Sequence, residues 1–226
     1  MTGDIMGWAN RNIEGRTGAV AMFQNADAGD VDPDYTLCHG EPLNWTGPAI
    51  FGDAVIAAAR SLLPAPTAAL SAASQSVDFG PVNFNATLSS PRFNNCSSGG
   101  PIDICSLCRV LDCHLDGRLQ SGWIETVPQF TAVRLDVNGK RSVFVTCPGE
   151  AIVELGWQVR NDTLKLGFTD TFFVGYSQNH QAYFTTPNEY VLGGYEAELT
   201  LWGIETSNRI RSGMFAVASI VAGSKK

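Results

Sequence analysis

Asn138-Gly139 constrains this chain more than any other feature. It stands between Phe130-Thr131-Ala132-Val133-Arg134-Leu135-Asp136-Val137 and Arg141-Ser142-Val143-Phe144-Val145, two runs rich in β-branched and aromatic residues. Asn and Gly tolerate the positive φ angles of a two-residue turn, so the pattern predicts an antiparallel hairpin. The second strand runs into Cys147-Pro148-Gly149-Glu150, and Ile152, Val153, Leu155 and Val159 then predict a short helix over 150–159. A glutamate in that position can serve only to complement the helix dipole. It can also be a carboxylate presented at a strand end, where functional groups collect.

The rest of the chain arranges itself around this hairpin. Residues 18–24 form a short apolar run bounded by turn-formers, which predicts a buried strand. Residues 48–63 carry apolar positions at helical spacing, with Pro48 suited to the first turn and Pro64 as a stop. A strand is expected over 69–79, ended by Gly80-Pro81, and another over 164–176, leading into the polar loop Ser177-Gln178-Asn179-His180. A last helix over 205–222 places Ile210, Met214, Val217 and Val221 on one stripe, which reads as core packing. Periodicity fades over 84–122, where Cys, Asn, Ser and Gly dominate; this predicts a long irregular excursion. The fold class is therefore α/β, a mixed sheet flanked by helices, in one domain over 1–226.

Composition sets limits on function. With 226 residues, 44% hydrophobic and 16% charged, the chain can bury one sizeable core. Its formal charge of -7 excludes nucleic acid as a partner, because phosphate contacts need clustered Lys and Arg. No apolar run is long enough to span a bilayer, and a leader for export would have to precede Met1. Six cysteines, Cys38, Cys96, Cys105, Cys108, Cys113 and Cys147, suit a secreted or extracytoplasmic protein with up to three disulfides. Sequons at Asn44, Asn85, Asn95 and Asn161 fit the same compartment. The competing reading of Cys105, Cys108, Cys113 and His114 is a small zinc site.

Asp27, Asp30, Asp32 and Asp34 crowd into a loop broken by Gly29 and Pro33. Such a loop can be a turn whose side chains cap backbone amides. It can also hold a cation or a catalytic acid, since adjacent carboxylates repel unless a cation or proton intervenes. The spacing does not follow an EF-hand.

Four separated stretches resemble the neutral, non-lysosomal ceramidases. They are Gly3-Asp4-Ile5-Met6-Gly7-Trp8-Ala9; Ala26-Asp27-Ala28-Gly29-Asp30-Val31-Asp32-Pro33-Asp34; Pro148-Gly149-Glu150; and Tyr183-Phe184-Thr185-Thr186-Pro187-Asn188-Glu189-Tyr190 with Tyr195-Glu196. The resemblance implies a zinc amidohydrolase that cleaves the amide of N-acylsphingosine (ceramide), a lipid substrate that would bring peripheral membrane contact. It assigns Glu150 and Tyr183 as zinc ligands and Tyr195 as a donor to the developing oxyanion, chemistry consistent with a Lewis acid paired with a phenol.

Two departures accompany it. Asp32 stands where the family carries its nucleophilic serine, so any catalytic part for Asp32 would be that of a general base or a further ligand. The family also draws two zinc histidines from sequence before the Gly3 stretch, so the resemblance implies the second half of a catalytic domain, inactive alone and completed by an N-terminal half. His39, His114 and His180 fall outside the family's histidine motifs, although His180 lies nearest Tyr183 and could substitute as a ligand. A non-catalytic relative that binds lipid or a protein partner, and a disulfide-rich secreted structural domain, are the alternatives.

Overall fold

The computed structural model describes residues 4–31, 46–65, 67–80, 82 and 125–223. The expected Cys-rich excursion, Asp32, Asp34, His39, His114 and every cysteine except Cys147 lie outside the described residues. The chain divides into two compact units.

The first unit draws on Met1–Gln24 and Asp32–Pro66. It holds α1 (Asp4–Thr17) and α2 (Thr46–Arg60). Arg16 of α1 forms an ion pair with Asp53 of α2, and Phe23 meets Phe51 edge-on with ring centroids 6.3 Å apart. The expected helix over 48–63 is present as α2. The expected buried strand over 18–24 is not: these residues pair with no strand, and Val20 and Met22 are exposed. Gly18, at φ 70°, donates its amide to Glu14 and closes α1. The apolar run is thus the exit from a helix, which a window of seven residues does not reveal.

The second unit contains the hairpin. In chain order it has β1 (Ala68–Ser76), β2 (Gln129–Val137), β3 (Lys140–Thr146), β4 (Glu150–Ala151), α3 (Val153–Lys165), β5 (Asp170–Val174) and β6 (Tyr183–Phe184). Three helices follow, α4 (Pro187–Leu192), α5 (Tyr195–Glu198) and α6 (Thr206–Gly223). The main sheet has the order β1-β2-β3-β5, antiparallel through β3 and parallel between β3 and β5. This is the mixed sheet the sequence predicts. Val137 pairs with Lys140 across the turn, where Asn138 takes φ 50° and Gly139 φ 80°. A second, two-stranded sheet pairs β4 with β6 in parallel.

Alternation along β2 sends Phe130, Ala132, Arg134 and Asp136 inward. The α6 stripe of Ile210, Met214, Val217 and Val221 is buried against this side of the molecule, in one core with Val143, Val145, Leu155 and Phe173. At its far end the core turns polar. Arg134 pairs with Asp136 at 3.0 Å and donates to the carbonyl of Val221 at 2.7 Å, while Arg141 donates to that of Ala222 at 2.8 Å. Two guanidinium groups therefore take up the last carbonyls of α6, where the helix dipole favours cations.

Two boundaries differ from expectation. Residues 150–151 are strand, and the helix begins at Val153 and continues to Lys165, into the region expected as strand; β5 starts only at Asp170. The cause is long-range: the amide of Val153 is capped by the Asp30 carboxylate at 2.8 Å, from a loop 123 positions away. At the other end Gly167 takes φ 84° after α3. The sequon at Asn161 falls inside α3, with Thr163 buried and bonded to Thr171 at 2.5 Å. Cys147 carries a free, fully buried thiol, so a framework of three disulfides using all six cysteines is not formed. Burial pushes that thiol well above its usual range, which makes it unreactive.

Helices α3 and α6 are joined by Asp162, which accepts from Arg211 at 2.5 and 3.0 Å and from Lys165 at 2.9 Å. Arg211, outweighing burial and helped by Lys165, holds the Asp162 carboxyl below its ordinary value. A depressed carboxyl contributes stability that is present above the unfolded pKa of roughly 3.9 and is lost as pH falls through the folded value. Unfolding by urea should accordingly require less denaturant as pH drops below about 4. Asp162→Asn should flatten that dependence; an unchanged pH profile in the variant would show that the pair contributes nothing.

Candidate functional site

The second sheet is built on backbone contacts between two loops. The Cys147 amide donates to Val174 at 2.7 Å, Gln181 to Pro148 at 2.7 Å, Tyr176 to Gly149 at 3.1 Å and Glu150 to Ala182 at 2.9 Å. These bonds lock the segment after β3 to the loop after β5. Gly149 must be glycine: a Cβ there would sit 2.5 Å from the Ala182 carbonyl and 2.8 Å from the Phe184 ring. Within the second loop Tyr176, Gln178 and Ala182 hold positive φ angles of 55°, 69° and 61°. Such residues cost on the order of 1–3 kcal/mol each and concentrate where strain serves a site.

The result is a parallel register in which Glu150 lies opposite Tyr183. One Glu150 oxygen accepts from the Tyr176 hydroxyl at 3.0 Å, and the other lies 3.0 Å from His180 Nε2. Tyr183 and Tyr195 meet edge-on with centroids 5.2 Å apart, and Tyr176 and His180 rings lie 5.9 Å apart. The Glu150 side chain is only 17% exposed, whereas His180, Tyr176 and Tyr195 form a more accessible rim. Burial, then hydrogen bonding to Glu150, pushes the Tyr176 phenol up to about 12. Burial, Glu150 and Tyr195 push Tyr183 higher still, so both phenols are protonated donors at neutral pH.

The aspartate loop abuts this cluster. Gly29 donates to Ala151 at 2.8 Å, one residue beyond Glu150. Asp27 is buried and paired with Arg160 through two bonds of 2.7 and 2.5 Å, and this raises the Arg160 pKa. Gly156 makes room for it, since a Cβ on α3 would fall within the Asp27 carboxylate. Of the loop's two readings, capping and pairing account for Asp27 and Asp30. Asp32 lies outside the described residues.

Thus Glu150, Tyr183 and Tyr195, far apart in sequence, share one locus. Tyr176 and His180 complete it; nothing in the sequence marks Tyr176, and His180 is marked only by its nearness to Tyr183.

No family profile matches the sequence, and no curated protein matches it. Solved structures do. Neutral ceramidase from Pseudomonas aeruginosa superposes with a TM-score of 0.64 at 19% identity, over 97% of this chain and 40% of that one. A ceramidase complexed with C2 gives a TM-score of 0.67 at 18% identity, over 96% of this chain and 42% of the other. The chain shares the neutral ceramidase fold. It spans about two fifths of the length of these ceramidases.

Zinc, implied by the sequence resemblance, can be weighed against the donors present. Among the described residues no three of His, Cys, Asp and Glu converge as a metal set. The locus does gather a carboxylate, an imidazole and a phenol, and imidazole with carboxylate suits zinc. The donors fit a divalent cation in kind.

Removing Arg160 should test how firmly the aspartate loop is held. Arg160→Met leaves the Asp27 carboxylate buried without its partner and should cost about 3 kcal/mol, the range for breaking a buried pair. Denaturant unfolding reads the loss, and limited proteolysis should show new cleavage within 25–31. Stability within about 0.5 kcal/mol of the parent, the usual effect of a surface change, would mean that the pair is incidental.

Proposed function

We propose that this chain is a portion of a zinc amidohydrolase of the neutral ceramidase type, acting on the amide bond of N-acylsphingosine. The observation that supports it best is the register that sets Glu150 opposite Tyr183 within a fold shared with ceramidases. In this reading Glu150 and Tyr183 hold the zinc ion. When bound, zinc supplies Lewis-acid polarisation of the scissile carbonyl. The Tyr195 phenol, 40% exposed and edge-on to Tyr183, donates a hydrogen bond to the carbonyl oxygen as negative charge develops there. Asp32 takes a proton from the attacking water, a general-base role open to a carboxylate. Residues beyond this chain complete the catalytic centre, and turnover by the chain alone is correspondingly slight. Secretion and contact with a lipid surface belong to the same reading. Among the described residues no helix is long and apolar enough to cross a membrane.

Asp32 favours one other reading, a non-catalytic relative that keeps the fold and binds the lipid. A hydroxyl nucleophile and a carboxylate do different chemistry, so the aspartate in the serine's place can mark lost turnover.

A sensitive assay of sphingosine release, paired with binding of an uncleavable N-acylsphingosine analogue, separates these. Slow release that falls about 10²–10³-fold in Tyr195→Phe, the usual cost of one oxyanion donor, and that Asp32→Asn abolishes, supports the enzyme. Analogue binding with neither release nor stoichiometric zinc supports the binding relative, whereas bound zinc without release is what an incomplete catalytic centre gives. Neither binding nor release would sink both and leave a structural domain.

A further inference from the structure

We propose that His180 is a direct zinc ligand, so that this chain carries three protein donors of its own: Glu150, Tyr183 and His180. The inference rests on the reading of Glu150 and Tyr183 as metal-binding and goes beyond it, because the resemblance takes its histidines from elsewhere.

Geometry carries the argument. His180 Nε2 stands 3.0 Å from one oxygen of Glu150. Two donors bound to one tetrahedral zinc at about 2.0–2.2 Å lie roughly 3.4 Å apart, so the pair must open by only about 0.4 Å. The other Glu150 oxygen is occupied by the Tyr176 hydroxyl at 3.0 Å, which orients the carboxylate and leaves the His180 side to receive an ion. Tyr183 sits beside the same carboxylate by strand register.

Charge points the same way. The three buried aspartates among the described residues each pair with arginine: Asp27 with Arg160, Asp136 with Arg134, and Asp162 with Arg211. Glu150 is nearly as enclosed, yet its side-chain bonds run to the phenols of Tyr176 and Tyr183 and to the His180 imidazole, with no arginine among them. A carboxylate withdrawn from water calls for a countercharge, and a bound cation supplies it. The His180 side chain is 52% exposed, which leaves the ion a way in.

Loop strain is consistent with this arrangement. His180 lies between Gln178 at φ 69° and Ala182 at φ 61°, conformations that non-glycine residues adopt only when the surroundings impose them.

The test uses the full 226-residue chain and the metal alone. Dialysis against zinc followed by elemental analysis should give one ion per chain, with His180→Ala and Glu150→Ala each weakening binding at least tenfold. A positioning role alone can also cost that much, so a second measurement decides. Chain labelled with ¹⁵N at histidine and loaded with cadmium should show scalar coupling between the metal nucleus and His180 Nε2. The half-exposed side chain can be removed without opening the core, and circular dichroism checks that the variants fold. A bound metal without that coupling, lost on Glu150→Ala, overturns the histidine assignment and leaves the amidohydrolase reading intact. No zinc uptake by the chain overturns the assignment as well, while the sphingosine assay judges the reading separately.

Discussion

A two-residue parallel bridge determines what this structure can do. Glu150 and Ala151 run beside Tyr183 and Phe184, joined by the bonds from Glu150 to Ala182 and from Ile152 to Phe184. Side chains alternate along a strand, so a slip of one residue would bury Glu150 and expose Ala151. The register is protected by packing: Ala151 and Phe184 are both fully buried, and the Phe184 ring fills the space a Gly149 side chain would need. The acid and the phenol face one locus because their neighbours have nowhere else to go. Polar chemistry is positioned here by apolar constraint.

The buried charges divide into two kinds of work. Arg160, Arg134 and Arg211 are always protonated, and the first and last grip their aspartates through two bonds each while Arg134 meets Asp136 through one, so these pairs are permanent joints. Each joins pieces distant in sequence or closes a helix end. Asp27 pins the acidic loop to α3, and Asp162 pins α3 to α6. Asp30 begins α3 from that same loop, so one short segment both starts the helix and is held by it. This fixes the acidic loop against the residue next to Glu150 without spending any of Glu150's own bonding capacity.

How much was legible in the sequence depends on how local the cause was. The hairpin was written in Asn138-Gly139 and the alternation beside it, and the α6 stripe in the spacing of Ile210, Met214, Val217 and Val221. Both follow from rules that act within a few residues. The start of α3 was not legible, because its cap is Asp30. The apolar run at 18–24 forms no strand because burial depends on what a strand meets, and among the described residues these meet no sheet. At the site, the nearness of Glu150, Tyr183 and Tyr195 came from resemblance rather than from any pattern of spacing. Tyr176 and His180 were set in place by backbone turns of positive φ that ordinary side chains conceal in a sequence.

The fold persists against ceramidases at 18–19% identity, and the close contacts suggest why so little sequence suffices. A surface helix position accepts many residues, since only its propensity is at stake. Gly149 and Gly156 accept none larger, because the space belongs to a carbonyl, an aromatic ring or a carboxylate already there. These two positions flank Glu150 on either side and hold β6 and the acidic loop against it. In this chain, therefore, the meeting of those two segments at the carboxylate does not depend on most of the surface. What this leaves open is which side chains meet the carboxylate from the rim, and here those are the phenol of Tyr176 and the imidazole of His180.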